Sequence, residues 1–276
     1  MKKNNLLTIS FIVLILALIY LPILMITAYS FTDADMIGQS GALSLTNYRV
    51  LFSEEDLRAM IINTILLSLV VAALSSILGT LGAIGAFYGS RRRRSAYTAM
   101  NQIPVVNADV VTGFSICVLL IAFFGMEKDT YIPLVLSLTT LCAPFCYLSV
   151  LPRMQQMDPM IYEAALDLFC KPTAAMFRVI LPQLATSIAS GFMLSVTLVL
   201  DDYFITTYTK PATFDTISTY VVNATRGSDT TIKTALWALS AVIFVIVLIV
   251  VVLINVFEKK SFPLEWKVSA KPTDEV

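Results

Sequence analysis

Long apolar stretches alternate with short polar ones along this chain. Residues 6–31, 60–88, 103–124, 131–151, 181–208 and 235–257 each approach or exceed the roughly 20 apolar residues that a helix needs to cross a hydrocarbon core. The pattern predicts an all-α polytopic membrane protein with about six transmembrane helices. The spans dominate the sequence, so one membrane domain over residues 1–276 is expected and no separate soluble one. No internal repeat is evident, which speaks against a secondary transporter built from inverted repeats.

Composition agrees with that class. Hydrophobic residues make up 57% and charged residues 14%, with a mean hydropathy of +0.80. A soluble domain needs far more charge to cover its surface. The formal net charge is zero, so nucleic acid is not expected as a partner and membrane lipid is. Lys2 and Lys3 precede the first apolar run as they would in a signal peptide. That run is longer than the usual 7–15-residue signal core and lacks a small-residue cleavage site, so it is expected to remain as the first membrane anchor.

The distribution of charge predicts direction. With the N-terminus in the cytoplasm, the inner segments hold Lys2, Lys3, Arg91, Arg92, Arg93, Arg94, Arg153, Lys171, Arg178, Lys259, Lys260, Lys267 and Lys271. The outer loops then hold Arg49, Arg58, Lys128, Lys210, Arg226 and Lys233, roughly half as many. Both termini are therefore expected inside. The arginines at 91–94 are the strongest vote; a nucleic-acid or lipid patch is the other reading of that run.

Small residues crowd the second span: Ala72, Ala73, Ser75, Ser76, Gly79, Gly82, Gly85 and Gly89. They let helix backbones approach closely in lipid, within the chain or across a subunit interface. There are four cysteines, Cys117, Cys142, Cys146 and Cys170. Cys142 and Cys146 are spaced to share a helix face. With no histidine in the chain and no acidic neighbour, packing is expected and no metal.

The segment 152–182 is too polar to span and falls on the inner side. Asp158-Pro159 has the signature of a helix start, with Asp as cap and Pro at the first helical position. Lys171-Pro172 is expected to end that helix, because a residue before proline avoids the helical region. A second short helix is expected over 173–179. Ala164 and Ala165 leave one face flat enough for a partner groove to close over it, although an ordinary folded loop has the same local features.

Glu163-Ala164-Ala165, followed by Ile180-Leu181-Pro182, resembles the EAA loop of binding-protein-dependent ABC importer permeases. The likeness runs over nearly the whole chain, including the long first outer loop. It implies a type I importer permease (MetI-like) fold in a bacterial plasma or inner membrane. It also implies that Glu163, Ala164, Ala165, Asp167, Phe169 and Pro182 belong to the loop that couples to an ATPase. The partners implied are an ATPase dimer, a second homologous permease and an extracytoplasmic substrate-binding protein. One position departs: the family usually has glycine six residues after the Glu, where this chain has Phe169. In a left-handed helix terminus a non-glycine residue costs about 1–2 kcal/mol. Either the helix ends further on, at Lys171-Pro172, or Phe169 is tolerated through apolar contact with a partner. The chain has no phosphate-binding loop of the form G-x-x-x-x-G-K-[ST], so ATP is expected on another polypeptide and no cofactor on this one. It is thus read as a transport subunit and not an enzyme.

Carboxylates in or beside spans are costly and tend to be functional. Asp109 lies in the third predicted span, and Asp201 and Asp202 lie in the fifth, close to Tyr203, Phe204 and Tyr208. Paired carboxylates and aromatic rings suit a cationic cargo. The alternative is that these aspartates cap helices or face water at the membrane edge. The stretches Pro104-Val105-Val106-Asn107-Ala108-Asp109-Val110-Val111 and Leu194-Ser195-Val196-Thr197-Leu198-Val199-Leu200-Asp201-Asp202-Tyr203 resemble those of spermidine/putrescine permeases, most of all the second of their two permease subunits. That likeness implies a polyamine cargo, with Asp109, Asp201, Asp202, Tyr203 and Tyr208 along its path. Related permeases carry iron, sulfate or other solutes. A stand-alone secondary transporter with Asp109 as a proton site is the reading from a different class.

Overall fold

The structure is a computed structural model and describes residues 2–34, 41–53, 55–106, 109–127, 129–158, 160–226 and 230–260. Among the described residues regular structure is helical, apart from one isolated antiparallel bridge between Thr32 and Leu43. Twelve α-helices follow in chain order: α1 (Lys2–Ser30), α2 (Thr46–Ser53), α3 (Glu55–Phe87), α4 (Arg91–Val106), α5 (Asp109–Val118), α6 (Tyr131–Gln156), α7 (Met160–Asp167), α8 (Pro172–Ala175), α9 (Leu181–Asp201), α10 (Phe204–Thr209), α11 (Ile217–Arg226) and α12 (Thr230–Lys260). Short π-helical segments, Leu119–Phe123 and Met176–Ile180, continue α5 and join α8 to α9.

Ser10–Ser30, Leu57–Phe87, Tyr131–Gln156 and Pro172–Asp201 are long and apolar enough to cross a membrane. The third predicted span is not one straight helix. Arg94–Val106 and Val110–Phe123 meet at a bend of 108°. Pro104 lies inside α4, where it withholds a backbone donor, and the first turn of α4 is made of arginines. The sixth predicted span falls in α12, with Leu236–Ile249 as its apolar stretch among the described residues.

The fifth span differs from its predicted limits at both ends. It begins at Pro172, so the predicted short helix at 173–179 is its first turns. Lys171 is extended (φ −63°, ψ 145°) and Pro172 starts α8, instead of ending α7. The π segment reconciles Pro182 with an unbroken helix. The Leu181 N–H donates back five residues to the Met176 carbonyl, immediately before a proline that cannot donate. The span then stops at Asp201, because Asp202 is extended (ψ 121°), and Tyr208 falls in the separate α10.

The core is the bundle of α3, α6 and α9, and close approach is what small residues supply there. A Cβ on Gly79 would lie 2.5 Å from the Cys146 Cβ and 2.8 Å from the Ala143 carbonyl oxygen. One on Gly191 would lie 3.1 Å from the Cys146 Cα. Cys146 thus sits between a glycine of α3 and one of α9. Its thiol donates to the Gly191 carbonyl (3.3 Å) and pairs with Ser195 Oγ at 3.1 Å. Ser149 Oγ donates to the Ser187 carbonyl at 2.9 Å, so a half-buried polar side chain also ties α6 to α9. Gly85, by contrast, faces open space. In α1, Phe11, Leu14, Leu18 and Leu24 are exposed, as a lipid-facing helix requires. Near its end Tyr29 packs edge-on against Trp237 of α12 (5.8 Å), and Asn47 Nδ2 donates to the Thr32 carbonyl at 2.8 Å.

Candidate functional site

Two places collect the candidate residues: the turn after α7, and the far end of α9.

The turn begins with the cap expected from sequence. Asp158 Oδ1 accepts from the Met160 N–H at 2.9 Å; Pro159 lies outside the described residues. Tyr162 meets Tyr88 at a tilt of 52° (centroids 5.3 Å apart) and packs, as do Met157 and Met176, against the buried cluster that includes Met154 and Ile180. Those contacts hold one side of α7 on the bundle. Glu163, Ala164 and Asp167 are exposed on the other, Ala165 is half-buried, and Pro182 is exposed at the start of α9.

The helix ends at Asp167, not at Lys171-Pro172. Phe169 has φ +59°, the left-handed conformation that favours glycine. Its N–H donates to the Leu166 carbonyl (2.9 Å), and the Cys170 N–H reaches back to the Ala165 carbonyl (3.1 Å). That pair of bonds is a Schellman termination, with Phe169 in the position usually held by glycine. The side chain makes no use of burial to offset the strain: Phe169 is 98% exposed, and Leu168 beside it is 82% exposed. Phe177 and Met160 are also exposed nearby in sequence.

At the far end of α9 the two adjacent aspartates have different surroundings. Asp202 is only 9% exposed. Its Oδ2 accepts from both the N–H and the Oγ1 of Thr206, each at 2.8 Å, so it organises the start of α10. Asp201 is exposed and lines a partly open cavity of about 520 Å³ bordered by α9, α11 and α12. Thr197, Ser218 and Ser240 add hydroxyls to that cavity, and Leu200, Ile217, Val221, Val222, Ile243 and Val247 make its walls apolar. A carboxylate and hydroxyls on aliphatic walls can take an ammonium group joined to methylenes.

Tyr203 and Tyr208 do not line this cavity. Tyr203 is edge-on to Phe204 (5.3 Å), and Tyr208 packs on Phe114 of α5 (5.8 Å), its carbonyl accepting from the Cys117 thiol at 3.2 Å. Asp109 opens α5 in the backbone trace; its side chain, with Asn107 and Ala108, lies outside the described residues. Sequence reading missed Ser218 and Ser240. A hydroxyl on an apolar helix face was the available signal, but which face turns toward Asp201 depends on packing. It also missed the anchoring of the loop beyond α10, where Lys210 Nζ binds the Asp215 carboxylate and the Phe214 carbonyl.

Residues 75–262 match the family described as binding-protein-dependent transport system inner membrane component. The chain is similar to the putrescine transport system permease protein PotI of Escherichia coli (strain K12), 27% identical over 213 residues, 75% of this chain and 76% of that one. It is 25% identical over 253 residues to the spermidine/putrescine transport system permease protein PotC of Haemophilus influenzae (strain ATCC 51907 / DSM 11121 / KW20 / Rd), covering 91% and 96%. Its fold is similar to that in the crystal structure of a bacterial ABC transporter involved in the import of the acidic polysaccharide alginate. There the TM-score is 0.70 at 19% identity, over 94% of this chain and 96% of that one.

Proposed function

The chain belongs to the family of binding-protein-dependent transport system inner membrane components, and from that premise we propose that it carries polyamines, putrescine or spermidine, as a permease subunit of an ATP-driven importer. The observation that carries the cargo is the similarity to polyamine permeases over as much as 91% of the chain. The Asp201 cavity supports it, because a polyamine is a set of ammonium groups on an aliphatic spine. An importer for an anion would meet a carboxylate where it needs a cation.

The same reading has both termini in the cytoplasm and the turn after α7 docked on a separate ATP-hydrolysing subunit dimer. A second, homologous permease completes the pathway, and an extracytoplasmic binding protein delivers the cargo. The run Pro172–Asp201 is 30 residues without a break, about 45 Å at the helical rise. It starts three residues past Phe169 and ends on Asp201. Motion imposed on the docking turn therefore has a stiff path to the cavity carboxylate, and no phosphoryl chemistry is required of this chain.

The test is uptake of labelled putrescine and spermidine into proteoliposomes holding the full complex, with a panel of cations and anions as competitors. Polyamine uptake that requires ATP, and that excess polyamine alone suppresses, is expected. Uptake of another solute with no competition from polyamines sinks the cargo assignment. Uptake driven by a proton gradient with no ATPase present would sink the ATP-driven class as well.

A further inference from the structure

The run of arginines at 91–94 is not used by the proposed transport path. At roughly 100° per residue, Arg91, Arg94, Ser95, Thr98 and Gln102 fall in one sector of α4 about 100° wide. Tyr97, Met100 and Ile103 fall opposite. The structure bears out both faces. The polar sector lines an open groove along α4, while Met100 and Ile103 are 66% and 61% exposed. Thr98 Oγ1 donates to the Arg94 carbonyl (3.0 Å) and pairs with the Tyr147 hydroxyl of α6 at 2.9 Å, which holds α4 against the bundle in this rotation. The sequence of α4 has no acidic residue, and among the described residues neither Arg91 nor Arg94 takes part in an ion pair.

We propose that Arg91 and Arg94, with Ser95 and Gln102, form a binding site for the phosphoryl headgroup of an anionic phospholipid. The exposed apolar face of Met100 and Ile103 suits acyl chains, which sets the opposite cationic groove at the depth where headgroups lie. Arginine forks match phosphate oxygens two at a time, and the hydroxyl and amide add neutral donors. Orientation by positive charge needs basic residues anywhere in the loop; it does not require them to share a helix sector with Ser95 and Gln102 along one groove. The proposal rests on the chain lying in a membrane and is independent of the cargo.

Native mass spectrometry of the purified full-length protein in detergent, titrated with phosphatidylglycerol or phosphatidylcholine, tests it. Wild type should retain phosphatidylglycerol preferentially. The R91Q/R94Q variant should lose at least fivefold of those adducts with phosphatidylcholine adducts unchanged. The R91K/R94K variant keeps the charge but not the forks and should lose about twofold; it also decides the matter if the glutamine variant does not fold. Unchanged phosphatidylglycerol binding in whichever variants fold overturns the site. Displacement of the lipid by millimolar inorganic phosphate overturns a lipid as the source of the phosphoryl group. Release of the ATPase subunit by R91Q/R94Q with lipid adducts intact overturns the assignment in favour of a protein contact.

Discussion

Phe169 carries the cost of a left-handed backbone, about 1–2 kcal/mol for a non-glycine residue, with its ring in solvent. Such strain persists where something over-determines it, and in the proposed docking of this turn the ring is apolar surface offered to the ATPase subunit. Phe169→Gly should therefore raise the thermal stability of the isolated subunit by about 1 kcal/mol while weakening retention of the ATPase in pull-down. Phe169→Ala, which keeps the strain and loses the ring, should weaken retention without the gain. Full retention by both would show that the ring contributes nothing to docking. The two aspartates should separate in a similar way. Thr206→Val removes one of the two donors seen on the Asp202 carboxylate and should cost about 1–3 kcal/mol in unfolding. Asp201→Asn, at an exposed site, should leave unfolding unchanged.

Among elements, the decisive contact is α3 and α9 closing on α6 around Cys146. Gly79→Val places atoms inside the van der Waals envelope of α6 and should destabilise the bundle by about 1–3 kcal/mol or more, seen as a lower Tm in detergent. Gly85→Ala enters open space and should leave the Tm of the isolated subunit unchanged. The two glycines lie in the same helix on different faces, so the contrast separates packing inside the chain from surface available to another subunit. The fifth span makes a second point about elements. Proline usually interrupts a helix, yet Pro182 sits inside an unbroken run because the preceding π turn has already widened the backbone.

At the scale of the whole molecule, the turn at Phe169, proposed to dock the ATPase, precedes one end of the helical run Pro172–Asp201, and the Asp201 carboxylate closes the other. Asp201→Asn should lower polyamine uptake by about tenfold at low substrate, the loss of one charge-assisted contact, while the ATPase stays bound. Glu163→Arg should do the reverse, releasing the ATPase while the isolated subunit keeps its Tm. Uptake assays and co-purification on the same preparations check both, and loss of both functions in either variant would contradict a spatial division of labour.

Hydropathy by itself determined that this chain is helical and crosses a membrane, because each span must satisfy its backbone within one apolar run. The EAA-like loop and the Asp158 cap were equally legible, since both are local: a few neighbouring residues and their hydrogen-bonding capacity specify them. Packing decided the rest. Asp201 and Asp202 are chemically identical neighbours, and only the turn into α10 points one at Thr206 and leaves the other in a cavity with Ser218 and Ser240. Cys142 and Cys146 looked alike in sequence until Gly79 and Gly191 closed on one of them. The bend between Arg94–Val106 and Val110–Phe123 and the continuity through Pro182 likewise emerge only in the folded backbone. A linear pattern records which residues avoid water; it does not record which faces meet, and both the cavity and the strained turn at Phe169 are made of faces.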